Sequence, residues 1–277
     1  MKKPEISFEF FPPRTDKGID NLAIVQSELA HFNPSFYSVT FGAGGTTQEG
    51  TYDAVKSILE TGADAAPHIS CVGSSAENIQ SMMEAYLKIG IKRVVALRGD
   101  LPSGMVERGD FNYANELVAF IREKFGDELH IEVAAYPDFH PESPNPKQDL
   151  QNFKRKIQAG ANSAITQYFY NADSYFAYLD EAQSLDISVP IIPGVMPITN
   201  CLQIIRFSDG CGAEIPRWIR SRLEQYQDDQ QALYAFGLDV VTHLCMDLLD
   251  NGVPGLHFYT LNKTEPVAEI CRRIGVK

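Results

Sequence analysis

Runs of apolar and β-branched residues recur at 5–11, 34–41, 64–72, 92–98, 130–136, 162–169, 188–195 and 254–260, each the length of a buried strand. Between most of them the apolar spacing becomes helical. The clearest case is 75–89, where Ile79, Met82, Met83, Tyr86 and Leu87 follow the i, i+3, i+4, i+7, i+8 stripe of an amphipathic helix. Ser74 with Glu77 fits a capping box at its start, and Gly90 stands where a left-handed residue would end it. A second helix is predicted over 149–160, with Leu150, Phe153 and Ile157 on one side. Strands alternating with helices imply parallel strands joined by right-handed crossovers. Eight such units predict an α/β fold, a closed (β/α)8 TIM barrel spanning 1–277 as a single domain, in preference to an open doubly wound sheet. The gap at 196–253 is too long for one helix and predicts an extra one between the seventh and eighth strands.

In such a barrel the active site lies at the C-terminal ends of the strands and in the loops that follow. Polar residues gather at those ends: Glu9, Thr40 with the glycines from Gly42 to Gly45, His68, Arg98-Gly99-Asp100, Tyr136 with His140, Gln167 and Tyr259. Any one has a bland explanation, such as a hydrogen-bonded core histidine or a tight glycine turn, but their shared position points to chemistry. Glu9 is the most informative. Within Ile6-Ser7-Phe8-Glu9-Phe10-Phe11, alternation puts Ser7 and Glu9 on one side and Phe8 and Phe10 on the other, so Glu9 faces inward or caps the strand. Desolvation raises a carboxyl from its free pKa of about 4.3 and equips it to give a proton near neutrality. The alternative is a structural glutamate paired with an arginine or a backbone N–H.

The formal net charge of −12 and sequence pI near 4.9 argue against broad binding to nucleic acid or an anionic membrane. An anionic ligand must therefore meet a local basic patch. Arg98, His140 and the run Lys154-Arg155-Lys156 offer one, although the run also reads as a solvated helix face. Gly42-Ala43-Gly44-Gly45-Thr46-Thr47 lacks the third spaced glycine of a dinucleotide fingerprint, and no Walker-type lysine motif is present, so a nucleotide cofactor would sit at a barrel-end site. Five cysteines, without a C-x-x-C pair or zinc-like spacing, predict a reduced cytoplasmic protein with no metal. The N-terminus runs directly into strand, and no 18-residue apolar run is expected to span a membrane.

The blocks Ser7-Phe8-Glu9-Phe10-Phe11-Pro12-Pro13, Ala66-Pro67-His68, Ala96-Leu97-Arg98-Gly99-Asp100, Ala135-Tyr136-Pro137, Ile165-Thr166-Gln167 and His257-Phe258-Tyr259-Thr260-Leu261-Asn262 carry a resemblance. In order and over nearly the whole chain, the sequence resembles the bacterial methylenetetrahydrofolate reductases in their short, catalytic-only form. The resemblance implies a tightly bound FAD, NADH or NADPH as electron source, reduction of 5,10-methylenetetrahydrofolate to 5-methyltetrahydrofolate by ping-pong kinetics, supply of methyl groups for methionine synthesis, and a homo-oligomer. It implies Glu9 as the general acid toward folate N10. It also implies Asp100 as an aspartate near the flavin's pyrimidine edge that contacts the pterin. The flavin contacts it implies are Thr40, Phe41, Ala43, His68, Arg98, Gly99, Asp100, Ala114, Tyr136, His140, Ser143, Asp149, Asn152, Arg155 and Lys156. The substrate contacts are Asp100, Gln167, Gln203, Phe207, Tyr259 and Lys263.

Two positions depart from the family's pattern: Lys263 stands where an arginine is expected beside the folate, and Phe41 takes a place where a tyrosine often sits. Three other readings stand beside the reductase. They are a Schiff-base aldolase with Lys156 as nucleophile, a proline dehydrogenase-like flavin enzyme, and a barrel that stores flavin or folate without turnover.

Overall fold

The computed structural model describes residues 4–41, 45–99 and 109–276, with backbone only for 45–48. Its strands are β1 (Glu5–Phe10), β2 (Phe36–Val39), β3 (Ala65–Ser70), β4 (Arg93–Leu97), β5 (His130–Ala135), β6 (Ser163–Thr166), β7 (Ile191–Ile192), β8 (Gly194–Val195) and β9 (Gly255–Tyr259). The helices are α1 (Asp16–Leu29), α2 (Gly45–Glu60), α3 (Ala76–Lys88), α4 (Ala114–Phe125), α5 (Pro146–Gln158), α6 (Ala172–Ser184), α7 (Cys201–Cys211), α8 (Arg217–Gln225), α9 (Gln230–Asp250) and α10 (Val267–Arg273). All strand pairs are parallel, in the order β7-β6-β5-β4-β3-β2-β1-β9-β8. The expected seventh strand is divided at Pro193, which has no N–H to give to a ladder. Its first half pairs with β6 and its second with β9, so the chain itself closes the ring as a (β/α)8 barrel.

Strand parity sorts the core into two bodies. Phe36, Ala66, Val95 and Ile165, with Leu97 against them, fill the barrel interior. Their strand neighbours, among them Tyr37, Val94 and Ala96, belong to the larger layer between barrel and helices. Phe8 and Phe10 point into that outer layer, where both pack on Tyr37 with ring centroids 6.0 and 5.3 Å away. Glu9 is thereby turned inward.

The N-terminal end of the barrel is closed by charge. Glu132, fully buried, accepts from Arg93 Nη1 and from Ser163 Oγ at 2.6 Å, and its Oε1 lies 3.2 Å from His130 Nε2. The Arg93 guanidinium also lies over the Phe36 ring, 4.5 Å from its centroid.

Three sequence expectations need correction. The cap of α3 is Ser75, whose side chain accepts from Asn78 N, while the preceding residue Ser74 makes a parallel bridge to Gly109. Asp110 Oδ2 accepts from Ala76 N at 2.8 Å, so a distant loop completes the cap. Gly90 does adopt a left-handed φ of 95°. The helix predicted from 149 begins earlier, at Pro146, with Asn145 as its cap. Between the last two expected strands run α7, α8 and α9, two more helices than one crossover requires. Of these, α9 is by length and mean composition apolar enough to cross a membrane, but Asp239 and Asp247 interrupt it, and its Leu233, Leu238, Val241, Cys245 and Leu248 are buried.

Candidate active site

Glu9 sits near the C-terminal mouth of the barrel with its side chain 11% exposed. Its Oε2 lies 3.4 Å from His68 Nε2 and 3.7 Å from His257 Nε2. It is therefore held between two imidazoles, and among the described residues no arginine pairs with it. Burial holds the His68 imidazole below its ordinary pKa; the Glu9 carboxylate opposes that shift and His257 adds to it. His68 Nε2 is buried without a hydrogen-bond partner among the described residues. His257 is fully buried, with Nδ1 2.8 Å from Ser7 Oγ and Nε2 3.4 Å from Ser38 Oγ. Sequence reasoning assigned no role to His257, Ser7 or Ser38, although alternation already placed Ser7 on the side of Glu9. The signal was available, because His257 stands two residues before Tyr259 on one strand and so shares its face.

Tyr259 forms the next part of the wall. Its hydroxyl donates to the Thr166 carbonyl at 2.7 Å. Burial, then the nearby Glu9 carboxylate and Tyr136, push its phenol well above the ordinary range, so it remains a donor. Gly194 makes this arrangement possible: a Cβ there would lie 2.1 Å from the Thr166 carbonyl oxygen and 2.8 Å from the Tyr259 hydroxyl. The carbonyl belongs to the barrel backbone and has little freedom to retreat. Gly194→Ala is expected to displace Tyr259 and lower stability by about 1–3 kcal/mol, the usual cost of overpacking. Thermal or urea melting of the variant measures it.

Beside this wall lies a cavity of about 920 Å³. It gathers ten of the residues named as flavin contacts. Arg98 and Gly99 follow β4, Ala114 opens α4, Tyr136, His140 and Ser143 follow β5, and Asp149, Asn152, Arg155 and Lys156 lie on α5. The N-terminal residues of both α4 and α5 face it, as do three cations, Arg98, Arg155 and Lys156, and three carboxylates, Glu116, Glu142 and Asp149. Asp149 organises the loop before α5, accepting from Ser143 Oγ at 2.9 Å and from the His140 backbone N–H at 3.2 Å. The Tyr136 and His140 rings meet edge to face at 4.7 Å. Burial, then the Arg98 charge, keep the His140 imidazole below its ordinary pKa, with Asp149 and Glu142 opposing. Arg98 Nη1 donates to Glu142 Oε2, a pair the sequence did not disclose. Lys156 Nζ donates to the Ala134 carbonyl, and burial pushes its ammonium down to about 8.

The other named residues lie elsewhere on the same side of the barrel. Thr40 and Phe41 follow β2, and Gln167 follows β6, its side-chain oxygen accepting from Tyr168 N at 3.2 Å. Gln203 and Phe207 are partly buried on α7, and Lys263 is exposed in the loop after β9. Ala43 and Asp100 lie outside the described residues. No group of three or more His, Cys, Asp and Glu side chains among the described residues is placed to hold a metal ion.

Comparison with known proteins decides the family. The family model described as "Methylenetetrahydrofolate reductase" matches residues 1–275. The chain belongs to this family. It is 38% identical to the 5,10-methylenetetrahydrofolate reductase of Escherichia coli strain K12 over 275 residues, 98% of this chain and 91% of the relative. It is 39% identical to that of Salmonella typhimurium with the same coverage. A longer member, "Methylenetetrahydrofolate reductase (NADH) 1" of Arabidopsis thaliana, is 34% identical over 98% of this chain and 48% of its own length. Among solved structures, the barrel resembles a Clostridium thermocellum protein described as binding two copies of 5-methyl-5,6,7,8-tetrahydrofolic acid. The TM-score is 0.64 at 15% identity, covering 99% of this chain and 93% of that one. It also resembles the dihydropteroate synthase of Xanthomonas albilineans, with a TM-score of 0.54 at 11% identity over 100% and 94% of the two chains. Both likenesses concern the fold. For a methylenetetrahydrofolate reductase family member, the inward carboxylate and the cavity beside it are the features whose roles need assigning.

Proposed function

We propose that this chain reduces 5,10-methylenetetrahydrofolate to 5-methyltetrahydrofolate with a bound FAD and with NADH or NADPH as the electron source, in two alternating half-reactions. The observation that carries the reading is Glu9, an inward carboxylate between His68 and His257 at the mouth of a barrel of this family.

The residues present fit an FAD. A cavity of about 920 Å³ is at the upper end of the range for small-molecule sites, and two helix N-termini with Arg98, Arg155 and Lys156 form a donor set suited to a pyrophosphate. His68 Nε2 is a buried polar atom with no hydrogen-bond partner among the described residues, its nearest charged neighbour being Glu9 Oε2 at 3.4 Å. When bound, the flavin supplies the hydride, accepted from nicotinamide and passed to the folate carbon. In this reading Arg98, Arg155 and Lys156 hold the phosphates, and Ser143, Asn152 and the backbone at Gly99 and Ala114 contribute hydrogen bonds and close contact. Tyr136, His140, Thr40, Phe41 and His68 complete the wall, while Asp149 fixes the loop that carries His140 and Ser143. Gln167 meets the donor and acceptor edge of the pterin, with Gln203, Phe207, Tyr259 and Lys263 around the rest of the folate. Glu9 gives its proton to folate N10; the N10–C11 bond breaks and leaves the methylene carbon as an N5 iminium, the hydride acceptor. His257, tied to Ser7 and packed 5.5 Å from the Tyr259 ring, keeps that carboxylate from swinging away.

The test is anaerobic stopped-flow absorbance on the purified protein. Bleaching of the flavin band by NADH and its return on addition of methylenetetrahydrofolate are expected. A protein that cannot be loaded with FAD, or one that bleaches without recovery, overturns the reading. The cavity adds a pH dependence. The Lys156 ammonium titrates at about 8, below its ordinary value, so it is charged beneath that pH and loses its charge as pH rises through it. FAD affinity is therefore expected to fall about tenfold between roughly pH 7 and 9.5, and Lys156→Met to be weaker at pH 7 but nearly flat over the same span. Fluorescence titration of the apoprotein checks both.

A further inference from the structure

We propose that Asn262, which belongs to neither the cavity nor the residues around the folate, is the positioning residue that holds Glu9 at the reacting centre. The proposal rests on the reading of Glu9 as proton donor.

Strand β9 pairs with β1 as far as Tyr259 opposite Glu9. One residue further, the main chain leaves the sheet: Leu261 and Asn262 both take left-handed backbone conformations, φ 53° and 54°. Adjacent left-handed residues that are not glycine are uncommon, and they persist where surrounding contacts enforce them. Here four hydrogen bonds run to the end of β1. Thr260 Oγ1 and N both donate to the Glu9 carbonyl, at 2.6 and 3.3 Å. The Asn262 amide then takes over from the backbone. Its Oδ1 accepts from Phe11 N at 2.8 Å and its Nδ2 donates to the Phe11 carbonyl at 2.9 Å. A single side chain thus makes both hydrogen bonds that a continuing strand would have made.

The turn itself is held by Thr260 Oγ1, which accepts from Asn262 N at 3.1 Å, and by Asn21 Nδ2, which donates to the Asn262 carbonyl at 3.1 Å. On the other edge of β1, Thr40 N donates to the Phe10 carbonyl at 2.9 Å. The last residues of β1 are therefore gripped from both sides, although neither neighbouring strand runs past them. The mouth above Glu9 stays open for a substrate while the backbone that carries the carboxylate keeps the rigidity of a paired strand. An asparagine suits the position, because its amide both donates and accepts and it tolerates the left-handed conformation better than most residues.

The experiment compares Asn262→Ala, Asn262→Gly and Asn262→Asp in the FAD-loaded protein, with the half-reactions read separately. Reduction by NADH should stay within about twofold in all three, whereas reoxidation at saturating methylenetetrahydrofolate should slow by about 10- to 100-fold in the Ala and Gly variants with KM little changed. Asn262→Asp keeps the acceptor for Phe11 N and should lie between. Full speed in Asn262→Gly would place the effect in backbone strain and overturn the proposal. The decisive readout is coupling. In a Glu9→Asp background, where the carboxyl is already withdrawn by one methylene, Asn262→Ala should add less than about threefold; a full multiplicative loss would show that Asn262 does not act through Glu9. A readout independent of turnover is hydrogen exchange of the segment 8–11 without ligand, which should quicken in Asn262→Ala and be unchanged if the clamp has no role. Failure of the parent reading is distinguishable, because Glu9→Gln would then leave folate reduction intact.

Discussion

Glu9→Gln is expected to slow reoxidation of the reduced protein by methylenetetrahydrofolate by about 10²- to 10⁴-fold, the contribution of a positioned general acid, while bleaching by NADH is retained. On the barrier this corresponds to roughly 3–5 kcal/mol. The amide is nearly isosteric and can still donate a hydrogen bond near His68 and His257, so loss of the fold is not the expected cause of the defect. What it cannot do is release a proton to N10 as the N10–C11 bond breaks. Hydride arrival from nicotinamide requires no such proton, and the two half-reactions should therefore part company in this variant. Stopped-flow traces for the two steps make the comparison directly. Equal slowing of both would place Glu9 among the residues that shape the flavin site, and unimpaired reoxidation would remove it from the chemistry. A barrel that only stored flavin or folate would be indifferent to the change.

How much of this was legible in the sequence depended on whether the signal was local. Alternation along Ile6-Ser7-Phe8-Glu9 was enough to turn Glu9 inward, because the side-chain period of a strand is a property of the backbone alone, and the outward packing of Phe8 and Phe10 agrees with it. The same alternation would have brought in His257 from Tyr259. The start of α3 was misplaced by one residue for a different reason: Ser74 and Ser75 are chemically equivalent as caps. The choice between them is made by Asp110, more than thirty residues later, which takes the Ala76 N–H. Pro193 could have announced the break between β7 and β8, yet the apolar run on both sides of it reads as one strand. The Asn262 clamp and the Arg98–Glu142 pair were not readable at all. The first joins the ends of β9 and β1, which closure of the barrel brings together, and the second joins the loops that follow the adjacent strands β4 and β5; neither leaves a periodic trace.

At the opposite end of the barrel the expected effect is on stability. Glu132→Ala should destabilise the protein by about 3 kcal/mol, the low end of the cost of breaking a buried ion pair, because Arg93 retains some access to water with its side chain 24% exposed. For a chain of this length that is a melting temperature lower by about 6 °C. Burial alone would push the Glu132 carboxyl up, but the His130 ring, the Arg93 guanidinium and the Ser163 hydroxyl outweigh it and hold the pKa below the ordinary value. Since the folded-state pKa is depressed, the stabilisation is present in full above the unfolded carboxyl pKa of about 4.3 and is lost as pH falls through the lower folded value. The wild-type protein should accordingly lose stability steeply below about pH 4, and the alanine variant, weaker throughout, should lose less over the same interval. Denaturant unfolding at pH 7 measures the offset, and a series from about pH 4 down to about pH 3 measures the slope. Glu132→Leu combined with Arg93→Met should recover much of the loss, because the desolvation cost of two charges disappears together with their attraction. If the double variant is no better than Glu132→Ala, the network is needed for the geometry of β4, β5 and β6 and not merely to neutralise a buried carboxylate.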